Sequence, residues 1–284
     1  MSERRPSIAD KRAEFRRLHE RGCFVIPNPW DVGSARYLQG LGFKALASTS
    51  AGFAFTQGLA DSAVSRDAVL DHLRALVSAA DVPVNADFEG GYADDPDGVA
   101  ANVALCAATG VAGLSIEDST GDDAEPLYDF DLSVARVRAA RTAIDAAGGD
   151  VVFTARTEGF VRGRPDLDET IRRLKAYAEI GADCLYSPGI KTREEIEAVV
   201  KAVAPKPVNF LMATATNFTV DDLARMGVRR ISVGGTMARV AWTAFIRSAR
   251  EIAEKGRFDS FDGVMRNAEL NAFFAADLAE RTRP

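Results

Sequence analysis

The sequence predicts a closed (β/α)8 barrel, one α/β domain over residues 1–284 with a helical extension from about residue 240. Three observations carry the expectation. Short β-rich runs alternate with longer segments whose apolar residues recur at helical spacing, as Val69, Leu73, Leu76 and Val77 do. A glycine closes several of these helical segments before the next strand, at Gly42, Gly110, Gly181 and Gly227, where its left-handed conformation is cheap. No linker, low-complexity tract or compositional shift divides the 284 residues. Eight such units in about 230 residues suit a closed barrel better than an open doubly wound sheet. The first strand–helix turn also carries no GxGxxG.

Taken in order, the strands are residues 23–27 (CFVIP), 44–48 (KALAS), 82–86 (VPVNA), 113–116 (GLSI), 151–155 (VVFTA), 184–187 (CLYS), 208–212 (VNFLM) and 230–233 (RISV). Near-continuous apolar content fits parallel strands covered on both faces. The segment around NAELNAFF near the end reads as an extra helix with an apolar face, suited to subunit contact or to packing on its own barrel.

Composition narrows the function. A net charge of −6 disfavours a nucleic-acid partner. The first residues hold no apolar signal core, and no apolar run approaches the ~18 residues of a membrane span. Cys23, Cys106 and Cys184 lie far apart without a CxxC pair, which points to reduced thiols and a cytoplasmic protein.

Barrel chemistry gathers at the C-terminal ends of the strands. There the sequence places Asn28 and Asp31, then Ser48, Thr49 and Ser50 with Asp61 beyond, then Asp87 and Glu89. Glu117 and Asp118, Arg156 and Glu158, Ser187, and Asn209 near Met212 complete the series. Asp87 and Glu89 are one strand period apart, so both face the mouth. With Glu117 beside them, three carboxylates repel unless a cation or proton intervenes. Oxygen-only ligation suits Mg2+, with Mn2+ as the alternative. The two histidines, His19 and His72, fall in predicted helices, which disfavours zinc and a Ser-His-Asp triad. Arg156 is placed to fork onto a substrate carboxylate, or to pair with Glu158. The small residues Ser48, Thr49, Ser50 and Ala51 form a turn whose N–H groups can cradle an anion.

These residues resemble the isocitrate lyase/phosphoenolpyruvate mutase superfamily. The matching pieces are STSAGFAFTQGLAD (48–61), NADFEGGY (85–92), GLSIED (113–118) and TARTEGF (154–160), in the family's order. The resemblance implies Mg2+ at Asp87, with Glu89 and Glu117 acting directly or through water. It implies a substrate carboxylate held at Thr49, Ser50 and Ala51, and roles for Asp61 and Arg156. Substrates would be 2-oxo or 2-hydroxy acids with a second anionic group, reacting through a pyruvate enolate. A homodimer or homotetramer that exchanges the last helix is also implied.

Departures from the family narrow the reaction. The lyases' Lys/Arg-Cys-Gly-His segment after strand 4 is here DSTGDDAEPLYD (118–129), without Cys, His or a basic residue. Glu89 stands where the family often has Asp. Oxaloacetate-type decarboxylation fits best, with Tyr128 as candidate proton donor from this acidic gate and Glu158 and Asn209 as candidate substrate contacts. Methylisocitrate lyase-like cleavage, P–C bond chemistry and a non-catalytic oxo-acid-binding barrel are the alternatives.

Overall fold

A computed structural model describes residues 5–282. The strands are β1 (Phe24–Ile26), β2 (Leu46–Ala47), β3 (Val84–Asp87), β4 (Gly113–Glu117), β5 (Val152–Arg156), β6 (Cys184–Tyr186), β7 (Val208–Leu211) and β8 (Arg230–Ser232). Each falls on a predicted run. All neighbouring pairs are parallel, in the order β1-β8-β7-β6-β5-β4-β3-β2. The gap between β1 and β2 is bridged by the Ala47 N–H donating to Pro27 O at 3.0 Å. The architecture is a nearly closed (β/α)8 barrel.

The helices are α1 (Ile8–Leu18), α2 (Val32–Gly40), α3 (Ser50–Thr56), α4 (Arg66–Ala79), α5 (Pro96–Ala108) and α6 (Phe130–Ala146). They continue with α7 (Leu167–Ile180), α8 (Arg193–Val203), α9 (Val220–Arg225), α10 (Thr236–Lys255) and α11 (Asn267–Arg281). From α1 to α9 each starts behind a Ser, Thr or Asp whose side chain accepts a first-turn N–H. The glycines at 42, 110, 181 and 227 all take positive φ, between 89° and 109°. This local chemistry, repeated, stops one element and starts the next.

The chain divides into two compact units, Pro6–Gly235 and a second one containing residues 236–282. In the first, apolar faces of the helices pack on the strands around Leu73, Leu114, Phe153, Leu174 and Ile196, all fully buried. The second holds α10 and α11, with Val240, Phe245, Phe258, Phe261 and Leu278 exposed. No helix among the described residues is long and apolar enough to cross a membrane.

Helix α1 packs into the end of the barrel where the strands begin. Its Phe15 approaches Gly113 so closely that a Cβ there would sit 2.5 Å from the ring. His19, expected inside a helix, caps its C-terminus instead. Its Nδ1 meets Phe15 O at 2.7 Å, and Nε2 faces Arg230 at 3.4 Å. Burial and the Arg230 charge hold His19 down to about 3, so it is neutral.

Candidate active site

β3, β4 and β5 end side by side. Glu117 and Arg156 are the last register pair of β4 and β5, and Asp87 pairs with Ser115. Arg156 is therefore delivered among the carboxylates. Its guanidinium lies 3.5 Å from Asp87 Oδ1 and 3.3 Å from Glu117 Oε2. It is also bound by Glu158 through two contacts, Nε to Oε1 and Nη2 to Oε2, the second at 3.1 Å.

Glu158, expected as a substrate contact or as the partner of Arg156, is buried and binds Arg156. Its own N–H donates to Asp118 Oδ1 at 2.9 Å. Asp118 Oδ2 in turn accepts from Arg173 at 3.1 Å and from Tyr177 Oη at 2.9 Å. Asp118 thus holds the floor beneath the site, a role its place at a strand tip did not reveal.

The turn after β2 is clasped to β3. Ser48 Oγ accepts the Asp87 N–H at 2.9 Å, and Asp87 Oδ2 accepts the Ser50 N–H at 3.0 Å. Thr49 Oγ1 accepts the Gly52 N–H as the cap of α3. The Ser50 N–H that was expected to cradle substrate is engaged by Asp87, because the carboxylate is the nearest acceptor. Ala51 follows within the first turn of α3.

Glu89 lies beyond the end of β3 in a left-handed conformation, with φ 47°. Strand alternation does not place it; the turn does. Tyr92 Oη donates to its Oε1 at 3.1 Å. Burial, and then the negative charge of Asp87, push Glu89 up to about 7. Burial also raises Glu117 well above the usual range, although Arg156 opposes it. Burial raises Glu158 as well, while Arg156 and then Arg162 pull it back.

A cleft of about 320 Å3 opens beside these groups. Glu89, Glu117, Ser119, Thr120, Tyr128 and Arg162 are among its walls. The acidic gate is a closed hairpin: Ser119 bridges Leu127, Thr120 N–H donates to Pro126 O, and Tyr128 N–H donates to Asp118 O. Asp122, Asp123 and Glu125 are exposed at its tip. Tyr128 lines the cleft, but its hydroxyl is committed to Asp94, and Arg136 stacks 3.9 Å from its ring centre. Burial, then the Asp94 bond, push it up to about 12.

Asp61 is exposed, with Oδ1 accepting the Ser62 N–H, and Ser62 lines the cleft. Asn209 does not face the cleft as expected. It is fully buried, with Nδ2 donating to Ser232 Oγ at 2.9 Å and Oδ1 accepting from Arg230 at 2.8 Å. It sits inside the barrel because its place in β7 is the second residue, below the tip. Arg162 was missed by the sequence reading; the signal was a basic residue in the β5–α7 loop of an otherwise acidic mouth.

Among the described residues no three Asp, Glu, His or Cys side chains converge as a ready metal cluster. The three expected carboxylates gather around Arg156, whose guanidinium lies within 3.5 Å of Asp87 and 3.3 Å of Glu117. The donor chemistry still suits Mg2+, since every donor is a carboxylate oxygen.

The family model described as phosphoenolpyruvate phosphomutase matches residues 15–253. A Burkholderia cenocepacia structure, provisionally assigned as a lyase/mutase, is 47% identical with a TM-score of 0.90, covering 94% of this chain and 96% of that one. The structure of an oxaloacetate acetylhydrolase with its product oxalate is 26% identical, TM-score 0.84, covering 96% and 97%. The oxaloacetate decarboxylase of Paraburkholderia xenovorans is 27% identical over 243 residues, 82% of this chain and 76% of that protein.

Proposed function

This chain belongs to the phosphoenolpyruvate phosphomutase family, and on that footing we propose that it is a Mg2+-dependent lyase cleaving a C–C bond in a small 2-oxo or 2-hydroxy dicarboxylic acid, with oxaloacetate decarboxylation the best fit. The observation that carries the reading is Arg156 set among Asp87, Glu117 and Glu158 at the ends of adjacent strands. Superfamily relatives include enzymes named for oxaloacetate chemistry and for methylisocitrate cleavage.

Asp87, with Glu89 and Glu117, would hold Mg2+, or Mn2+ in its place. When bound, the ion would supply Lewis-acid stabilisation of negative charge on the oxo-acid oxygen. The chain's own groups position the rest. Arg156 orients the substrate carboxylate, and Glu158 orients Arg156. Ser48 and the Ser50 N–H fix Asp87, and Tyr92 fixes Glu89. Phe88, fully buried, backs the turn between the two carboxylates and keeps water from behind it.

Thiol catalysis has no support. Cys106 and Cys184 are fully buried and their thiols are raised by burial, and none of the three cysteines lines the cleft. P–C chemistry is disfavoured by a gate whose exposed tip carries Asp122, Asp123 and Glu125, which repel a phosphonate. The unpaired thiols suit the reducing cytoplasm.

A panel of oxo acids and hydroxy acids, with and without Mg2+, tests the function by release of pyruvate or the matching product. Turnover of a dicarboxylate only with the ion is expected. No turnover of any member, with oxalate binding retained, would leave only a binding barrel. The exposed Val240, Phe245, Phe258 and Phe261 of the second unit support a homodimer or homotetramer with exchange of the last helix. Sedimentation equilibrium reads this directly, and a monomer at micromolar concentration refutes it.

A further inference from the structure

Arg162 is the single cationic side chain among the described residues that line the cleft. Its neighbours there include Glu89, Asp94 and Glu117, yet its guanidinium makes no hydrogen bond or ion pair with any of them. The other cleft charges are accounted for. Glu117 meets Arg156, Glu89 accepts from Tyr92, and Asp94 accepts from Tyr128.

The backbone beneath Arg162 is fixed. The N–H groups of Val161 and Arg162 both donate to Glu158 O at 3.0 Å, and Arg164 N–H donates to Gly159 O at 2.8 Å. Glu158 is itself pinned through its N–H to Asp118. Phe160 seats against Gly189, where a Cβ would lie 2.8 Å from the Phe160 Cβ. A firm turn therefore holds out an arginine whose head feels the buried Glu158 charge but makes no hydrogen bond or ion pair with the cleft carboxylates. That is the arrangement of a preorganised anion receptor.

We propose that Arg162 is the specificity residue that receives the distal carboxylate of a dicarboxylate substrate whose other end is oriented by Arg156. The assignment rests on the oxo-acid reading of the site. Its physical basis is charge. A second carboxylate entering a cleft walled by Asp94 and the carboxyl groups of Glu89 and Glu117 needs a fork of N–H donors beside it, and among the described lining residues Arg162 is the one that offers it. A monocarboxylate gains nothing from Arg162.

The test uses two 2-hydroxy acids that differ by that carboxylate, malate and lactate, with oxalate as a control. Binding is measured by calorimetry in Mg2+ on the full-length protein, so no turnover is required. Wild type is expected to favour malate over lactate by about tenfold or more. Arg162→Gln should remove that preference and leave oxalate affinity within about twofold, and Arg162→Lys should restore part of it. In any member that turns over, KM should rise with kcat retained, because the contact is present before the reacting bond changes. A preference that survives in Arg162→Gln overturns the proposal. So does an equal loss of oxalate binding, or a wild type that does not prefer malate. Failure of the lyase reading appears elsewhere, as absence of turnover across the panel.

Discussion

Asp87→Ala is expected to abolish Mg2+-dependent oxalate binding, lowering affinity by more than about 100-fold. Asp87 holds three groups at once: the Ser50 N–H on one oxygen, the Arg156 guanidinium on the other, and, in the proposed holoenzyme, the ion. Alanine removes them all. Asp87→Asn separates the contributions, since its amide oxygen still accepts from Ser50 while its charge is gone. If charge is what matters, Asn fails nearly as badly as Ala. Stability should move the other way or not at all, because Asp87 is one of the charges that raise Glu89. An inactive variant with an undiminished melting temperature is the expected pair of results. Oxalate binding that persists unchanged, still dependent on Mg2+, would remove Asp87 from the site.

The second large effect is structural. Asp118→Ala should cost about 3–5 kcal/mol of stability, measured by urea denaturation. Asp118 is 2% exposed and receives Arg173, Tyr177 and the Glu158 N–H. Removing it strands the buried Arg173 charge. Glu169 also pairs with Arg173 at 2.8 Å, which places the loss toward the lower end. Asp118→Asn keeps the shape and should cost less. The same change loosens the turn that carries Glu158, so residual activity should fall along with stability. A loss under about 1 kcal/mol would show that Asp118 is not the keystone described here.

Much of the barrel was legible because its rules are local. Apolar runs with β-branched residues become strands, Ser, Thr and Asp start helices, and glycine ends them. A helix around His19 was legible, but its docking was not: Phe15 is the main anchor, and its partner is Gly113, far along the chain. The identities at the strand tips were legible for the same reason, since alternation marks which residues leave the strand.

Pairing among those tips was not legible. Asn209 looked like a tip residue, yet Ser232 and Arg230 hold both ends of its amide inside the barrel. Tyr128 looked like a free hydroxyl until Asp94, on another loop, took it. Glu89 faces the cleft through a left-handed turn, which strand periodicity does not encode.

The sequence by itself determined that this protein is a parallel barrel presenting Asp87, Glu117 and Arg156 at one rim, because strand order and spacing set which residues end each strand. Only the tertiary structure decided that Arg156 lies among the carboxylates, that Asp118 ties the Glu158 turn to Arg173 and Tyr177, and that Arg162 lines the cleft without an ion pair to its carboxylates. Those outcomes depend on distances between residues remote in the chain, where burial and opposite charge, rather than local periodicity, choose the partner.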